Sequence, residues 1–450
     1  MNRPHLPVVL ALAIVAALAA LAACQRAPEP TTPATTATAK ASAPAGLEQA
    51  EWALPTPDGA AQPDLAEGPD GRLLVSWVRR LGDRNALQYA MYMGNDTWES
   101  APKTIAVGST LTANWANTPH IAMTADGALW AHWLQTPANA ESPHASDIML
   151  TRSADNGVHW SPPVPVNDDK TGTEHGFVSL WPMGQDAVGI AWLDGRRTAG
   201  ATHGHGDAAP AMSGHAHEAK AGHDDHAGAM TVRAARFDGA LARSEESEID
   251  ADTCDCCGTD TALTSAGPLL VYRDRTPEEI RDIVAVRRTT TGWTKPMPVS
   301  ADHWKMAACP LNGPAVAAMG SNVAVAWYTA PGERPVLRLA RSQDGGKTFD
   351  APIDVDQGNA LQGRVDVAMD ADATWLVWLR EDAKGQSVEL ARYPAKGGAV
   401  QRVELARLAG RGRGTGFPKL AVRAGTAFVV WTDLVEGRPR LAGMKVAPRS

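Results

Sequence analysis

The chain has 450 residues, of which 44% are apolar, 20% charged and 6% aromatic. These proportions are typical of a globular protein and exclude a largely disordered chain or a polytopic membrane protein. The formal net charge of -8 argues against a nucleic-acid partner, because such partners normally bind a basic face. The 15 Trp, 41 Gly and 32 Pro indicate many short strands and turns, with Trp at a recurring position.

The N-terminal segment has the features of an export signal. Arg3 precedes an apolar run, Val8 to Ala20, that is too short to span a membrane. The run closes with Leu21-Ala22-Ala23-Cys24, which resembles the lipobox of a bacterial lipoprotein. The resemblance implies removal of residues 1–23 as a signal peptide, acylation of Cys24 and a membrane anchor. The alternative is an ordinary secretory signal with an accidental cysteine. Gln25, in place of Asp, implies by the same resemblance the outer membrane, facing the periplasm.

A linker precedes the folded part of the chain. Residues 24–46 are mostly Pro, Ala and Thr and show no apolar periodicity, which is typical of a solvated tether. We therefore expect the folded domain to occupy residues 47–450.

Strand-like segments that end in Trp or Tyr recur seven times in this domain. They are Leu73–Trp77, Leu129–Trp133, Val188–Trp192, Leu269–Tyr272, Val323–Trp327, Trp375–Trp378 and Phe428–Trp431. The intervals are roughly 50 to 60 residues, except for one that is about 25 residues longer. Within a unit, turns such as Ala125-Asp126-Gly127 separate four strands. This pattern predicts an all-β fold, a seven-bladed β-propeller.

Two turns share the pattern Ser-x-Asp-x-Gly-x-x-aromatic. The residues are Ser153, Asp155, Gly157, Trp160, Ser342, Asp344, Gly346 and Phe349. The pattern resembles the Asp-box, or bacterial neuraminidase repeat, of the sialidase-like propellers. The resemblance covers roughly residues 47–450 and implies that the Asp accepts backbone hydrogen bonds within its hairpin while the aromatic packs between blades. The Asp-box pattern is informative about the fold but indicates almost nothing about the chemistry of the protein.

The seventh unit lacks an outermost strand, because the chain ends after a third strand at Arg440 to Val446. Leu47 to Pro55 is placed to supply it, with Trp52 equivalent to the Trp residues of other outer strands. An unfilled edge would invite aggregation. We therefore expect the N-terminal segment to close the ring.

The sialidase resemblance also raises the question of glycoside hydrolysis. Sialidases use an Arg triad, a Tyr nucleophile with its Glu and an Asp acid/base. The Phe/Tyr-Arg-Ile-Pro segment that carries the first Arg of the family is absent here. Tyr272, in Tyr272-Arg273-Asp274-Arg275, is the one candidate nucleophile, but the repeat already explains it as a substitute for the usual Trp. We therefore expect no catalytic residues; if the protein is an enzyme, it is a glycoside hydrolase of sialidase type.

The cysteines carry the most specific chemical signal. Cys254, Cys256 and Cys257 precede the fourth unit and Cys309 precedes the fifth, so neighbouring blades would bring four sulfurs to one face of the propeller. Pairing Cys254 with Cys256, or Cys256 with Cys257, would close a strained ring. Four soft ligands predict a thiolate site for copper, with zinc as the other choice. A structural disulfide to Cys309 and thiol redox chemistry remain alternatives.

A Gly/Ala-rich insertion at residues 198–230 supports the metal hypothesis. It holds six histidines, namely His203, His205, His215, His217, His223 and His226. It joins the second and third strands of its blade, a connection that opens on the same face as the cysteines, and it is similar to tracts in periplasmic copper-handling proteins. The alternative is a low-complexity insertion that binds divalent ions weakly. His120 and His175, ahead of innermost strands, are further candidate ligands, although a lone histidine is more often a hydrogen-bonded structural residue.

The sequence thus favours a lipid-anchored envelope protein whose Cys/His face binds copper or zinc for capture, delivery or tolerance. The expected partners are a metal ion, the membrane and an unidentified envelope protein. The first alternative is a glycan-active, exo-sialidase-like enzyme or glycan-binding module. The second is a disulfide-stapled propeller scaffold for envelope protein assembly.

Overall fold

Seven antiparallel sheets follow one another in the computed structural model, which describes residues 46–99, 101–200 and 228–449. The predicted signal peptide, Cys24, all but the last residue of the tether and the six histidines of the insertion lie outside the described residues. Their assignments remain predictions.

The strands are numbered β1 to β30 in chain order, and each blade is given from its first strand outward. Blade 1 consists of β2 (Ala60–Glu67), β3 (Leu73–Leu81), β4 (Arg84–Gly94), β5 (Thr97–Trp98) and β6 (Lys103–Gly108). Blade 2 consists of β7 (Ile121–Met123), β8 (Leu129–Gln135), β9 (Asp147–Ser153) and β10 (Val164–Pro165). Blade 3 consists of β11 (His175–Met183), β12 (Ala187–Asp194), β13 (Thr231–Phe237) and β14 (Arg243–Asp250).

The remaining four blades have the same order. Blade 4 consists of β15 (Asp260–Thr264), β16 (Gly267–Arg273), β17 (Ile283–Thr289), β18 (Gly292–Trp293) and β19 (Met297–Pro298). Blade 5 consists of β20 (Ala315–Met319), β21 (Asn322–Thr329), β22 (Val336–Ser342) and β23 (Ile353–Gln357). Blade 6 consists of β24 (Leu361–Met369), β25 (Ala373–Asp382), β26 (Gly385–Pro394) and β27 (Gln401–Arg407). Blade 7 consists of β28 (Lys419–Arg423), β29 (Thr426–Val435), β30 (Arg438–Pro448) and β1 (Leu47–Glu51).

The second strand of each blade forms the hydrophobic core between neighbouring blades. These strands are rich in Val, Leu, Ala and Trp and are buried on both faces, because each sheet packs between two others. The recurring aromatics of the sequence all lie on them and are all buried, namely Trp77, Trp133, Trp192, Tyr272, Trp327, Trp378 and Trp431. The first strands contact one another in a closed ring. The predicted all-β, seven-bladed β-propeller is confirmed.

The N-terminal strand closes this ring, as predicted. β1 pairs antiparallel with β30, with Leu47 opposite Pro448 and Glu51 opposite Met444. The pairing is shorter than the predicted segment, which extended to Pro55. The hydrogen bonds between the two strands end at Trp52, whose backbone N–H donates to the Gly443 carbonyl at 3.0 Å. The indole ring of Trp52 stacks on Trp98. The closing segment therefore contributes both an edge strand and a buried aromatic.

The ring of first strands surrounds the central channel of the propeller. Carboxylates of three first strands connect neighbouring blades around this channel. Each accepts a backbone N–H of the next first strand: Asp64 from Ile121 (3.1 Å), Asp260 from Val316 (2.7 Å) and Asp366 from Leu420 (2.8 Å). These bonds fix the register between blades that share no sheet.

Helical structure in the described ranges is confined to three short 3-10 turns, Arg196–Thr198, Pro331–Glu333 and Arg413–Thr415. Within the part of the chain that the structure describes, no helix has the length and apolar character needed to cross a membrane.

Candidate metal centre

The backbone holds the first three cysteines between blades 3 and 4. The Thr253 N–H donates to the Met230 carbonyl at 3.0 Å, and the Cys254 N–H donates to the Arg273 carbonyl at 3.2 Å. The Thr253 hydroxyl donates to the same Arg273 oxygen at 2.7 Å. The cysteine segment is therefore tied to the end of β16 and to the residue that precedes β13.

Gly313 allows the loop that carries Cys309 to approach this segment. A Cβ on Gly313 would lie 2.2 Å from the Gly258 carbonyl oxygen, so a side chain at residue 313 would push the two loops apart. The loop also anchors itself on blade 4, because the Arg273 guanidinium donates to the Asn312 carbonyl at 2.8 and 3.1 Å. Blades 4 and 5 thus meet at the cysteines.

Three sulfurs lie together in the interior. The Cys254 Sγ is 3.2 Å from the Cys257 Sγ and 3.9 Å from the Cys256 Sγ, and all three atoms lie within 4.8 Å of one another. A second group contains the Cys309 and Cys256 Sγ atoms with a carboxylate oxygen of Asp255, again within 4.8 Å. The first three cysteines are buried and Cys309 is exposed. Because Cys256 belongs to both groups, the four sulfurs form one continuous cluster, hereafter the cysteine cluster.

The electrostatics of the cluster favour one thiolate among thiols. Hydrogen bonds with Cys256 and Cys257, together with the nearby Arg281 and Arg273 guanidinium groups, hold the pKa of Cys254 well below its usual range. The hydrogen bond with Cys254 raises the pKa of Cys256, and burial raises the pKa of Cys257. A soft cation entering the cluster would displace the remaining protons.

The described ends of the His-rich insertion adjoin the cysteine cluster. Asp194 and Thr231, the residues of β12 and β13 nearest to the insertion, are paired across the sheet. Met230 packs in the same hydrophobic cluster as Cys254, Cys256 and Cys257. The insertion therefore leaves the blade beside the sulfurs; the positions of its histidines lie outside the described residues.

The Asp-box residues form the hydrogen bonds of a turn. The Asp155 carboxylate accepts from the Ser153 hydroxyl (2.9 Å) and the His159 N–H (2.8 Å). The bond from the His159 N–H lowers the pKa of Asp155 to about 2. Trp160 meets Tyr89 of blade 1 edge-on, with the ring centroids 6.1 Å apart.

The second Asp-box makes the same contacts. The Asp344 carboxylate accepts from the Ser342 hydroxyl at 2.8 Å and from the Thr348 N–H at 3.0 Å. A Cβ on Gly346 would lie 2.8 Å from a Leu269 methyl of blade 4, and Phe349 packs in the same hydrophobic cluster as that leucine. Neither turn contributes to the cysteine cluster.

Tyr272 occupies a core position. Its side chain is buried, its hydroxyl donates to the Asp250 carboxylate at 2.7 Å, and burial raises its pKa. Arg273 beside it is also buried and donates to the backbone carbonyls of Arg281, Asn312 and Tyr328. Neither group is accessible to a sugar in this arrangement.

Sequence reasoning missed a second group of ligand atoms, formed by Asp169, His175 and Asp194. His175 was a candidate ligand as a histidine ahead of an innermost strand, and Asp194 is the last residue of β12, two residues after the recurring Trp192. Asp169 carried no signal, because it lies in an irregular connection between blades.

No protein-family model and no curated protein matches the sequence. Solved structures with a similar overall fold include polysaccharide lyase Uly1, at 9% identity over 88% of this chain and 91% of the other, with a TM-score of 0.49. The α-L-arabinofuranosidase Arb93A from Fusarium graminearum matches at 11% identity over 87% and 93%, with a TM-score of 0.45. A subtype N10 neuraminidase-like protein of A/little yellow-shouldered bat/Guatemala matches at 10% identity over 89% and 97%, with a TM-score of 0.43. At these identities and TM-scores, the likeness does not bear on the activity of this chain.

Proposed function

We propose that this protein binds a soft transition metal, copper in preference to zinc, at the cysteine cluster. The observation that supports the proposal is the grouping of the Cys254, Cys256 and Cys257 Sγ atoms within 4.8 Å of one another. Thiolates select Cu(I) and Zn(II) over hard cations, and three sulfurs at this separation are as close as the ligands of a single ion. Cys309, exposed at the edge of the cluster, would be the fourth ligand.

The charges around the cluster suit a thiolate metal site. A site with several thiolates is strongly negative, and burial makes that charge costly unless cations offset it. The Arg281 and Arg273 guanidinium groups already lower the pKa of Cys254. A metal cation would offset the thiolate charge that these two guanidinium groups neutralise only in part. Copper ranks before zinc because the His-rich insertion is similar to tracts in periplasmic copper-handling proteins.

The His-rich insertion and the export signal suggest the biological setting. The insertion contains six histidines and ends at Met230, which packs beside the cysteine cluster. These histidines would collect ions for the sulfurs. The lipid anchor expected at Cys24 would hold the propeller at the outer membrane, facing the periplasm. The protein would then act in metal capture, delivery or tolerance and would catalyse no reaction.

The decisive experiment is anaerobic Cu(I) titration against a chromophoric chelator. The full chain with Cys24→Ser serves as the parent, so that only the four cluster cysteines remain. We expect tight binding that Cys256→Ser weakens more than a hundredfold, whereas deletion of residues 201–227 weakens it less than tenfold. Unchanged affinity in Cys256→Ser, or cysteines recovered from cells as fixed disulfides, contradicts the proposal. The latter result favours the stapled scaffold, in which a disulfide to Cys309 joins the two loops; the Cys256 Sγ atom lies within 4.8 Å of the Cys309 Sγ atom.

A second candidate function is the binding of an acidic glycan at an aromatic platform. Trp115 is half-buried and stacks on Phe417 with centroids 6.1 Å apart and planes 11° apart. The Arg364 and Arg413 guanidinium carbons lie 4.8 and 5.9 Å from the Trp115 ring centroid. An aromatic side chain beside an exposed guanidinium group suits a sugar ring that carries a carboxylate. Arg413 provides that group, because Arg364 is buried and donates to the Gly412 and Gly416 carbonyls.

Binding of an oligouronate, compared with a neutral oligosaccharide of equal length, tests this candidate. Trp115→Ala and Arg413→Met should each weaken uronate binding at least tenfold, and equal binding of both sugars would argue against the platform. Turnover of a fluorogenic sialoside addresses the enzymatic form. We expect no turnover above background and no effect of Tyr272→Phe beyond stability, because Tyr272 is buried.

A further inference from the structure

His175 has one ring nitrogen without a hydrogen-bond partner. Its imidazole is fully buried at the start of β11. The Nδ1 atom lies 2.9 Å from the Ser146 carbonyl oxygen, and because a carbonyl only accepts, Nδ1 carries a proton. The Nε2 atom, also buried, makes no hydrogen bond. In the neutral imidazole, Nε2 therefore presents an unused lone pair to its surroundings.

Two carboxylates face this lone pair. The Oδ1 atom of Asp169 is 3.2 Å from Nε2, and the Oδ1 atom of Asp194 is 3.7 Å from it. The side chain of Asp169 is 7% exposed and that of Asp194 is 0% exposed. Three acceptor atoms that converge within 4.8 Å repel one another in a dry interior unless a positive charge lies among them.

The guanidinium of Arg196 lies beside these three side chains but does not contact all of them. The Arg196 Nε atom donates to Asp194 Oδ1 at 2.7 Å, and the Arg196 Nη2 atom donates to Asp194 Oδ2 at 2.8 Å. The distance from Arg196 Nη2 to Asp169 Oδ1 is 3.9 Å, and Arg196 is shared with Glu246 and Asp168. The guanidinium therefore neutralises Asp194, whereas the Asp169 Oδ1 atom that faces the His175 nitrogen lies 3.9 Å from it, beyond hydrogen-bonding distance.

The surroundings orient each of the three side chains. The Trp192 indole N–H donates to Asp194 at 2.8 Å, and the Asn167 amide and the Thr171 N–H each donate to Asp169 at 3.3 Å. Metal-binding histidines commonly donate their other N–H to a backbone carbonyl, which fixes the ring and the tautomer. The bond from His175 to Ser146 is of this kind.

We propose that His175 Nε2 and the carboxylates of Asp169 and Asp194 form a second, buried site for a divalent cation, zinc. One nitrogen and two oxygens suit Zn(II), whereas the sulfurs of the cysteine cluster suit Cu(I), so the two sites would take different metals. The full burial of the ligands leaves no room for a substrate, and the role of the ion is structural. It would attach the connection between blades 2 and 3, which carries Asp169, to β11 and β12, where the His-rich insertion begins.

The test follows the His175 ring nitrogens in the full-length protein by two-bond ¹H–¹⁵N correlation, after chelation and again with excess zinc. We expect the Nε2 resonance to move to the range of metal-bound imidazole, with Nδ1 protonated throughout. The resonances of His175, assigned by their loss in His175→Gln, report on this site, so zinc bound by the insertion or the cysteines does not produce the change. Cys256→Ser should leave the change intact, which separates this inference from the proposed copper site.

Matched variants provide the second measurement. Asp169→Asn should raise the zinc concentration needed for the His175 shift more than tenfold and should reduce the rise in Tm that zinc causes. Asp168→Asn, at the exposed neighbouring residue, should leave both quantities unchanged. If Asp169→Asn fails to fold, the spectrum of the unaltered protein still decides. A His175 ring that carries protons on both nitrogens and ignores zinc would overturn the proposal in favour of an imidazolium between two carboxylates.

Discussion

Gly157 shows how one residue fixes the contact between two blades. Its φ of 77° lies in the left-handed region, and a Cβ there would lie 1.8 Å from the Tyr89 hydroxyl of blade 1. Tyr89 is buried and donates to the Asn156 carbonyl at 3.2 Å, so it has little freedom to move away. The Asp-box glycine thus serves both the turn and the packing of the preceding blade.

We predict that Gly157→Ala destabilises the protein by about 3 kcal/mol, because backbone strain and overpacking add. Gly127→Ala is the matched control. Its φ is 82°, and nothing lies within 4 Å of the added Cβ, so only the backbone cost of about 1 kcal/mol applies. Urea unfolding measures both, and equal losses would show that the contact with Tyr89 does not constrain the turn.

Asp260 provides a pH-dependent test within the channel. Burial, reinforced by Asp366, raises the pKa of Asp260 to about 6 from its ordinary 3.8. The folded state therefore retains a proton that the unfolded chain loses, and stability falls as the pH rises from about 4 to about 6. Asp260→Asn, which keeps an acceptor for the Val316 N–H, should reduce this fall by about 1–2 kcal/mol, allowing for partial solvation of the channel. Identical pH profiles of unfolding for the two proteins would contradict the prediction.

At the scale of elements, β1 completes the one blade whose strands are not contiguous in sequence. We predict that a chain starting at Gly46 is as stable as the full-length protein, whereas a chain starting at Ala53 loses more than 4 kcal/mol. The shorter chain lacks the ladder from Leu47 to Glu51 and the buried Trp52. It also exposes the edge of β30 and should aggregate on mild heating. Thermal unfolding with light scattering distinguishes the two chains, and equal stability would mean that β1 is dispensable.

The elements that the sequence predicts best are those that repeat. The Trp-ending segments recur because each second strand meets the same environment, so their spacing alone predicts seven blades. The missing outer strand of blade 7 could be located for the same reason. Contacts between loops follow no period: the approach of Gly313 to Gly258 and the position of Asp169 opposite His175 depend on irregular backbone. The cysteine cluster was predictable as a convergence on one face, but its individual distances were not.

The whole ring is held together by charge as well as by strands. Carboxylates from blades 1, 4 and 6 line the channel together with Lys419 of blade 7. Burial acts to lower the pKa of Lys419, but Asp366, Asp64 and Asp260 outweigh it and raise the pKa. One ammonium group thus compensates three carboxylates from three different blades. Its loss should therefore destabilise the contacts between several blades.

We therefore predict that Lys419→Met lowers the free energy of unfolding by about 2–3 kcal/mol, because removing one partner leaves the opposing charges uncompensated. Adding Asp366→Asn to this variant should restore part of the loss, since it removes one of the uncompensated negative charges while retaining an acceptor for the Leu420 N–H. Lys445→Met is the matched control. Lys445 pairs with Asp96, whose side chain is 63% exposed, and its loss should cost less than about 1 kcal/mol. Denaturant unfolding of the four proteins tests the argument: if the two single Lys variants are equally stable, the channel lysine is not a link between blades, and the backbone bonds of Asp64, Asp260 and Asp366 alone hold the first strands in register.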